Sequence, residues 1–407
     1  MRVGLYQDLR GPGIGGGEYC LAVLAHALSA EGHAVDVLHH QGAGLVERMS
    51  DYFRIDLGGV GDRPLPVGEP WGVPSAPRWR LGPAMRDWMK EASSPYQLFV
   101  CITHAPPPFC HAPAGVLYVL FPLFDRHNSW PWNGRGRGWR APVAWLKRQV
   151  YERLWQARMR SYTAVAAISD FSARWTRDWW GSEAAVVFPP VDVDQFAPGG
   201  KEDLIVALGR FSEWKNQAGL ARVFRNSRPL LPGWRFSCVG GVTDSPAGHA
   251  YLAEVEREGG GAVELVVNAT RERVRAEVGR AKVFWHAMGF NVDEQKTPVE
   301  AEHFGIATVE AMAAGCVPVV PNRGGQAEIV IHGESGFLCD SIEELPERTA
   351  ELAANPARLA CMSAAARERS RAFSHSNYVN SMMRLLRPHL LATEQPVSAS
   401  PAPVSAG

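Results

Sequence analysis

Two glutamates, Glu302 and Glu310, lie eight positions apart in the stretch EAEHFGIATVEAMAAGCVPVV (300–320). The residues between them read as the start of a helix running from Ile306 to Ala314, with Gly315 ending it and Pro318 blocking its continuation. The first free amides of that helix, around Gly305, Ile306 and Ala307, form an anion seat, and a residue without a side chain at 305 lets a phosphate come close. Glu302 then stands just outside the helix and Glu310 one turn inside it. Carboxylates repel phosphate, so their natural partners beside a diphosphate are hydroxyls, which points to a sugar on one side and a ribose on the other. The same pair also reads as two acids stabilising a surface helix through its dipole.

A second cluster favours the first reading. In VALGRFSEWKNQAG, Arg210 and Lys215 fall on a loop directly after an apolar strand, the place where a doubly wound sheet binds ligands. Arginine grips a diphosphate bidentately and lysine adds a point charge, so together they can stabilise a leaving nucleoside diphosphate. The plainer alternative is a solvated basic loop.

The elements that must carry these residues alternate. Val3–Tyr6 reads as a strand, EYCLAVLAHALSAEGH as a helix stopped by Gly32, and AVDVL as the next strand, which makes a βαβ unit and implies a parallel sheet. Strand patterns recur at 96–102, 114–121, 162–169 and 184–191. After the polar VDVDQFAPGGKED they restart with LIVALGRF, RFSCVGG, VELVVN, AKVFWH, CVPVVP and GFLCD. The expected organisation is α/β with two Rossmann-like domains facing across a cleft, residues 1–192 and 193–375. A helix at 376–391 is expected to pack back toward the first domain, followed by a disordered tail at 392–407.

Composition sets the outer limits. The 407 residues carry 42 Lys plus Arg against 42 Asp plus Glu, with 46% hydrophobic residues, so no global field recruits nucleic acid and the chain reads as globular. The seven cysteines are scattered with no CxxC spacing, which argues against a disulfide framework or a zinc site. With no signal-like segment and no run of about 18 apolar residues, the expected location is cytoplasmic. Between Arg135 and Arg160, however, eight cations face one acid and alternate with Trp139, Trp145 and Trp155. That pattern suits a peripheral contact with an anionic membrane, on its inner face, or an acceptor bearing a lipid diphosphate. It also suits a solvated helix whose aromatics turn inward.

Two short motifs compete. Asp192–Val193–Asp194 has the DxD form of a metal site, but it sits in a linker after FPP, and no metal is expected. Gly11, Gly13 and Gly16 spell G-x-G-x-x-G with Asp36 beyond, which raises an NAD(P)-dependent oxidoreductase; QDLR separates them from the strand, where a dinucleotide turn begins almost at the strand end.

Together GGGEYCLAVLAHAL, VVFPPVDVDQF, VALGRFSEWKN, EHFGIATVEAMAAGCVPVV and GGQAEIVIHGESGFL resemble the GT-B glycosyltransferases of family four, the retaining group 1 enzymes, and EHFGIATVEAMAAG most resembles their mannosyltransferases. The resemblance implies transfer of a hexose from a nucleoside-diphosphate sugar to a hydroxyl of a glycan, lipid-linked saccharide or small natural product, with no cofactor. It places Glu302 on the donor sugar, Glu310 on the ribose, Arg210 and Lys215 on the donor phosphates, and Gly16 and Gly17 in the loop near phosphate and acceptor. Phe304, Gly305, Ile306 and Ala307 complete the donor seat. The sequence departs from the family at Leu120, where a histidine near the sugar is common; His104 and His127 are the nearby imidazoles. Other GT-B enzymes, a nucleotide-sugar epimerase or a phosphorylase, and a non-catalytic sugar-nucleotide binder fit the same motifs.

Overall fold

The valine- and isoleucine-rich runs fold as strands buried on both faces, as parallel sheets covered by helices require. The computed structural model describes residues 1–9, 15–65, 89–126 and 141–392. One sheet holds β1 (Arg2–Gln7), β2 (Ala34–His39), β3 (Gly61–Pro64), β4 (Leu98–Thr103), β5 (Ala114–Val119), β6 (Ala164–Ala167) and β7 (Ala185–Val186), in the order β3-β2-β1-β4-β5-β6-β7. The other holds β8 (Glu202–Leu208), β9 (Arg235–Gly240), β10 (Val263–Val267), β11 (Ala281–Trp285), β12 (Val317–Pro321) and β13 (Phe337–Cys339), in the order β10-β9-β8-β11-β12-β13. Both orders reverse next to their first strand, between β1 and β4 and between β8 and β11. Doubly wound sheets bind ligands at the carboxyl ends of the strands at such a reversal.

By their contacts the residues divide into two compact units. Of the described residues, one unit takes those within Met1–Tyr118, Phe124–Val165 and Val379–Gly407, and the other those within Val119–Leu123 and Ala166–Tyr378. The core of the second unit gathers Phe224, Phe236 and Trp285, with the Phe236 and Trp285 rings 5.4 Å apart. The Trp285 indole donates to Thr349 Oγ1 at 2.9 Å, so the large ring is buried with its one polar atom satisfied.

Two local readings change. Of the stretch 184–191 only Ala185–Val186 is strand, because Pro189 and Pro190 have no amide to give a ladder. Strand β3, GDRP, carries no alternating apolar pattern and escapes a periodicity search. Gly11, Gly13, His127, Arg135, Arg137, Trp139, Arg140 and the segment 393–407 lie outside the described residues.

Candidate active site

Strand β8 ends at Leu208 and delivers the loop bearing Arg210 and Lys215. Arg210 is exposed, and Lys215 closes a short 3₁₀ turn, Glu213–Lys215. Next door, β11 ends at Trp285 and delivers His286. Both loops thus leave the sheet at its order reversal.

The third component is the helix Ile306–Ala313, with Ala314 as its C-cap. Its N-cap is Gly305, at φ +122°, a conformation that side chains rarely adopt; a Cβ there would stand 2.7 Å from the buried Gln326 Nε2. This end of the helix has no side-chain cap, so its first-turn amides around Ile306 and Ala307 receive no capping side chain. Phe304 is buried and meets the edge of Phe373 at 5.5 Å, which anchors the segment entering the helix.

Glu302 is the electrostatic centre. Lys215 Nζ bonds its Oε2 directly, and His286 Nε2 lies 3.1 Å from the same oxygen. Burial pushes the Glu302 carboxyl up, but Lys215 and then His286 more than reverse this, and it lies well below the ordinary carboxylate range. Burial holds His286 below its usual value despite Glu302, so its imidazole is neutral. Glu310, inside the helix, stands in the opposite environment. Burial raises its carboxyl to about 7, opposed by Arg271 and reinforced by Asp192. Two carboxylates on one short segment are therefore tuned apart, one held ionised and one poised near neutrality.

The wall behind Glu302 is stitched to segment 169–171. Gly325 N donates to Glu302 O at 2.8 Å, and Ser169 Oγ donates to His303 O at 2.7 Å. The Glu328 carboxylate accepts from the Asp170 and Phe171 amides at 2.8 and 2.7 Å. Beside the same wall opens a polar cavity of about 520 Å³, lined by Arg174, Arg177, Glu294, Arg323 and Glu328 and by none of the predicted donor residues.

Of the predicted set, the second unit brings Lys215 and Glu302 into contact and places Phe304, Gly305, Ile306 and Ala307 directly after them in the chain. Gly16 and Gly17 belong to the first unit, where they open the helix Gly16–Ala30 behind Gly15, whose amide donates to Glu18 Oε2 at 3.0 Å. Leu120 is buried, its carbonyl accepts from Ser172 Oγ at 3.0 Å, and the next residue, Phe121, stacks on the His303 ring at 3.8 Å. His104 is exposed; the imidazole beside Glu302 is that of His286, which the motif reading passed over. Its position as the first residue beyond a strand at the order reversal was the available signal. Among the described residues no group of three His, Cys, Asp or Glu side chains is placed to hold a metal.

Comparison with known proteins agrees with this architecture. Glycosyltransferase Family 4 matches residues 14–195, and Glycosyl transferases group 1 matches residues 191–369. A Dictyostelium discoideum GDP-Man:Man(3)GlcNAc(2)-PP-Dol alpha-1,2-mannosyltransferase is 29% identical over 52% of this chain and 44% of its own. A Mycolicibacterium smegmatis GDP-mannose-dependent alpha-(1-6)-phosphatidylinositol monomannoside mannosyltransferase is 30% identical over 50% of this chain and 57% of its own. The chain thus matches about half the length of these relatives. Among solved structures, Anabaena Alr3699/HepE in complex with UDP superposes with a TM-score of 0.67 at 16% identity, covering 95% of this chain and all of that one. Sucrose-phosphate synthase from Thermosynechococcus elongatus gives 0.68 at 18% identity, covering 96% and 99%. At such identity the superpositions speak for the GT-B fold, and the two family matches in succession carry the rest: the chain belongs to the group 1 glycosyltransferases of family four.

Proposed function

We propose that this protein transfers a hexose, with retention, from a nucleoside-diphosphate sugar to a hydroxyl of a glycan, lipid-linked saccharide or small natural product, and that its donor is GDP-mannose. The observation that carries the reading is the convergence of Lys215 and Glu302 just ahead of an uncapped helix N-terminus. The amides, Arg210 and Lys215 receive the diphosphate, Glu310 the ribose and Glu302 the sugar. In this reaction the leaving phosphate itself helps to deprotonate the acceptor, and the protein supplies orientation and charge stabilisation rather than a strong base. Mannose and guanosine are carried by the activities of the two mannosyltransferase relatives.

Thermal unfolding against GDP, UDP, ADP, GDP-mannose and NAD(P) tests donor and class together. A ligand at a hundredfold excess over its Kd adds about 2.7 kcal/mol to native stability, so GDP and GDP-mannose should raise Tm by several degrees and the others little. A shift with UDP alone overturns the choice of base. A shift with NAD(P) alone overturns the transferase reading.

The same proposal includes a lipid surface as partner. On the helix Ala141–Met159, Leu146, Val150 and Leu154 recur at four-residue spacing and are exposed, with Trp145 beside them 63% exposed. Trp155 points the other way, buried 5.5 Å from the Phe124 ring. Arg148, Arg153 and Arg160 are exposed near this ridge, and the single acid, Glu152, is paired with Arg126 at 2.7 Å. Apolar side chains flanked by exposed guanidiniums complement an anionic bilayer. Among the described residues no helix is long and apolar enough to cross a membrane. Flotation should carry the protein with phosphatidylglycerol-containing vesicles and leave it behind with phosphatidylcholine alone, and Leu146→Glu with Leu154→Glu should abolish the difference. Equal flotation of that double variant, or a dimer in solution that the variant dissociates, overturns the lipid assignment.

A further inference from the structure

The mechanism above asks Lys215 to do two things. Without donor its ammonium sits on Glu302 Oε2; with donor, on the proposed reading, it turns to the diphosphate. Glu302 must then keep its orientation toward the sugar with one charged partner gone, and a carboxylate left without a donor neither holds its geometry nor stays as strongly ionised.

His286 fills that role. It is only 5% exposed, as the first residue after β11, and its Nε2 is 3.1 Å from the Oε2 that Lys215 also takes. Its ring is nearly parallel to that of Phe284, with 16° between planes and centroids 6.3 Å apart. The Nε2 position is not aligned for a hydrogen bond in this geometry, and no other partner is in reach among the described residues. Catalytic hydrogen bonds often straighten only when substrate is bound. A neutral imidazole facing a carboxylate carries its proton on the facing nitrogen, so Nε2–H is the donor, a tautomer assigned from its neighbour. Lacking a charge, it has no pull toward phosphate, so unlike Lys215 it is not drawn off Glu302 by the donor.

We infer that His286 is the positioning residue of Glu302, the partner that stays when Lys215 moves to the donor phosphates. The inference rests on the proposed contact between Glu302 and the donor sugar. The charged groups facing the imidazole are Glu302 and Lys215. No bond is made or broken at His286; its effect on the reaction is carried by the carboxylate.

The test compares His286→Phe, which keeps a ring and removes the donor, with His286→Gln, which restores an N–H, in the full chain. Four quantities are read: kcat, the donor KM, the Kd of the nucleoside diphosphate without sugar, and the acid limb of the kcat–pH profile. Loss of one hydrogen bond to a charged group corresponds to roughly a 10- to 100-fold fall in kcat for the Phe variant. The nucleoside diphosphate Kd should stay within about twofold, since it reports contacts made without the sugar. The acid limb should move to higher pH, and Gln should recover most of the turnover. Unchanged kcat in His286→Phe overturns the inference, as does parallel loss of kcat and nucleotide affinity that Gln does not rescue. If the Phe variant does not fold, His286→Met takes its place beside Gln, with the same outcomes. Glu302→Ala run alongside separates the levels: transfer unaffected there refutes the site reading, whereas slow transfer there with full activity in His286→Phe refutes only the role of His286.

Discussion

Glu302→Ala should lower kcat by roughly 10²- to 10³-fold, the size seen when one preorganised group at a reacting centre is removed. The carboxylate is held ionised by Lys215 and His286 before any donor arrives. The proposed contact with a sugar hydroxyl can therefore strengthen as positive charge grows at the anomeric carbon, without reorganisation at that moment. The nucleoside diphosphate alone should bind the variant as well as it binds the wild type, or more tightly, because deleting Glu302 frees Lys215 from a competing anion. Steady-state kinetics and calorimetry on the same preparations decide the matter. Equal losses of turnover and nucleotide affinity sink the assignment of Glu302 to the sugar.

Glu310→Gln should separate stability from binding. The carboxyl has a folded pKa of about 7 set first by burial, above its unfolded value of about 4.3. For an acid shifted upward, the unfolded chain gives up the proton first, so its contribution to stability is intact below about pH 4.3, erodes as pH rises to about 7 and is level beyond. The ionised carboxylate thus costs up to about 4 kcal/mol above pH 7. The glutamine variant should unfold at higher temperature than wild type at pH 8 and at a similar one near pH 4.5. On the proposed role of Glu310 at the ribose, it should also bind the nucleoside diphosphate about 10- to 100-fold more weakly, having lost the anion that would accept from the diol. Wild-type affinity should fall as pH drops below 7, and the variant's should not. A flat wild-type profile, or no stability gain at pH 8, shows that Glu310 is not the poised acid.

The fold was readable because parallel strands buried on both faces leave near-continuous apolar runs, and the Gly315 and Pro318 signals ended the key helix where it ends. The motif Glu302-x7-Glu310 and the Arg210–Lys215 loop were readable because helix amides and cations need particular residue types at short spacing. What local pattern cannot hold is the partner brought in from elsewhere in the chain. His286 lies 16 residues from Glu302 and Lys215 lies 87 away, and their meeting depends on neighbouring strands β8 and β11 ending side by side. Glu302 and Glu310 look alike in the sequence, and only their surroundings send one carboxyl down and the other up. At Leu120, where the family commonly carries a histidine, the side chain is buried, and the imidazole beside Glu302 is supplied by His286, at the end of another strand.

The stitching of segment 169–171 to the wall behind Glu302 bears on how the protein can be cut apart. A fragment beginning near residue 193, where the second set of strands starts, keeps every motif residue from Arg210 to Glu310. It leaves behind the two amides that satisfy Glu328 and the hydroxyl that satisfies the His303 carbonyl. Each lost hydrogen bond to the carboxylate costs on the order of 1.5–3 kcal/mol and the one to the carbonyl about 0.5–1.5 kcal/mol, together a large fraction of the stability of a domain. The strand-by-strand boundary is therefore not the boundary of an autonomous nucleotide-binding piece. Expression work that seeks one has to carry residues 166–190 along, and circular permutants that open the chain between 169 and 171 should be the hardest to fold.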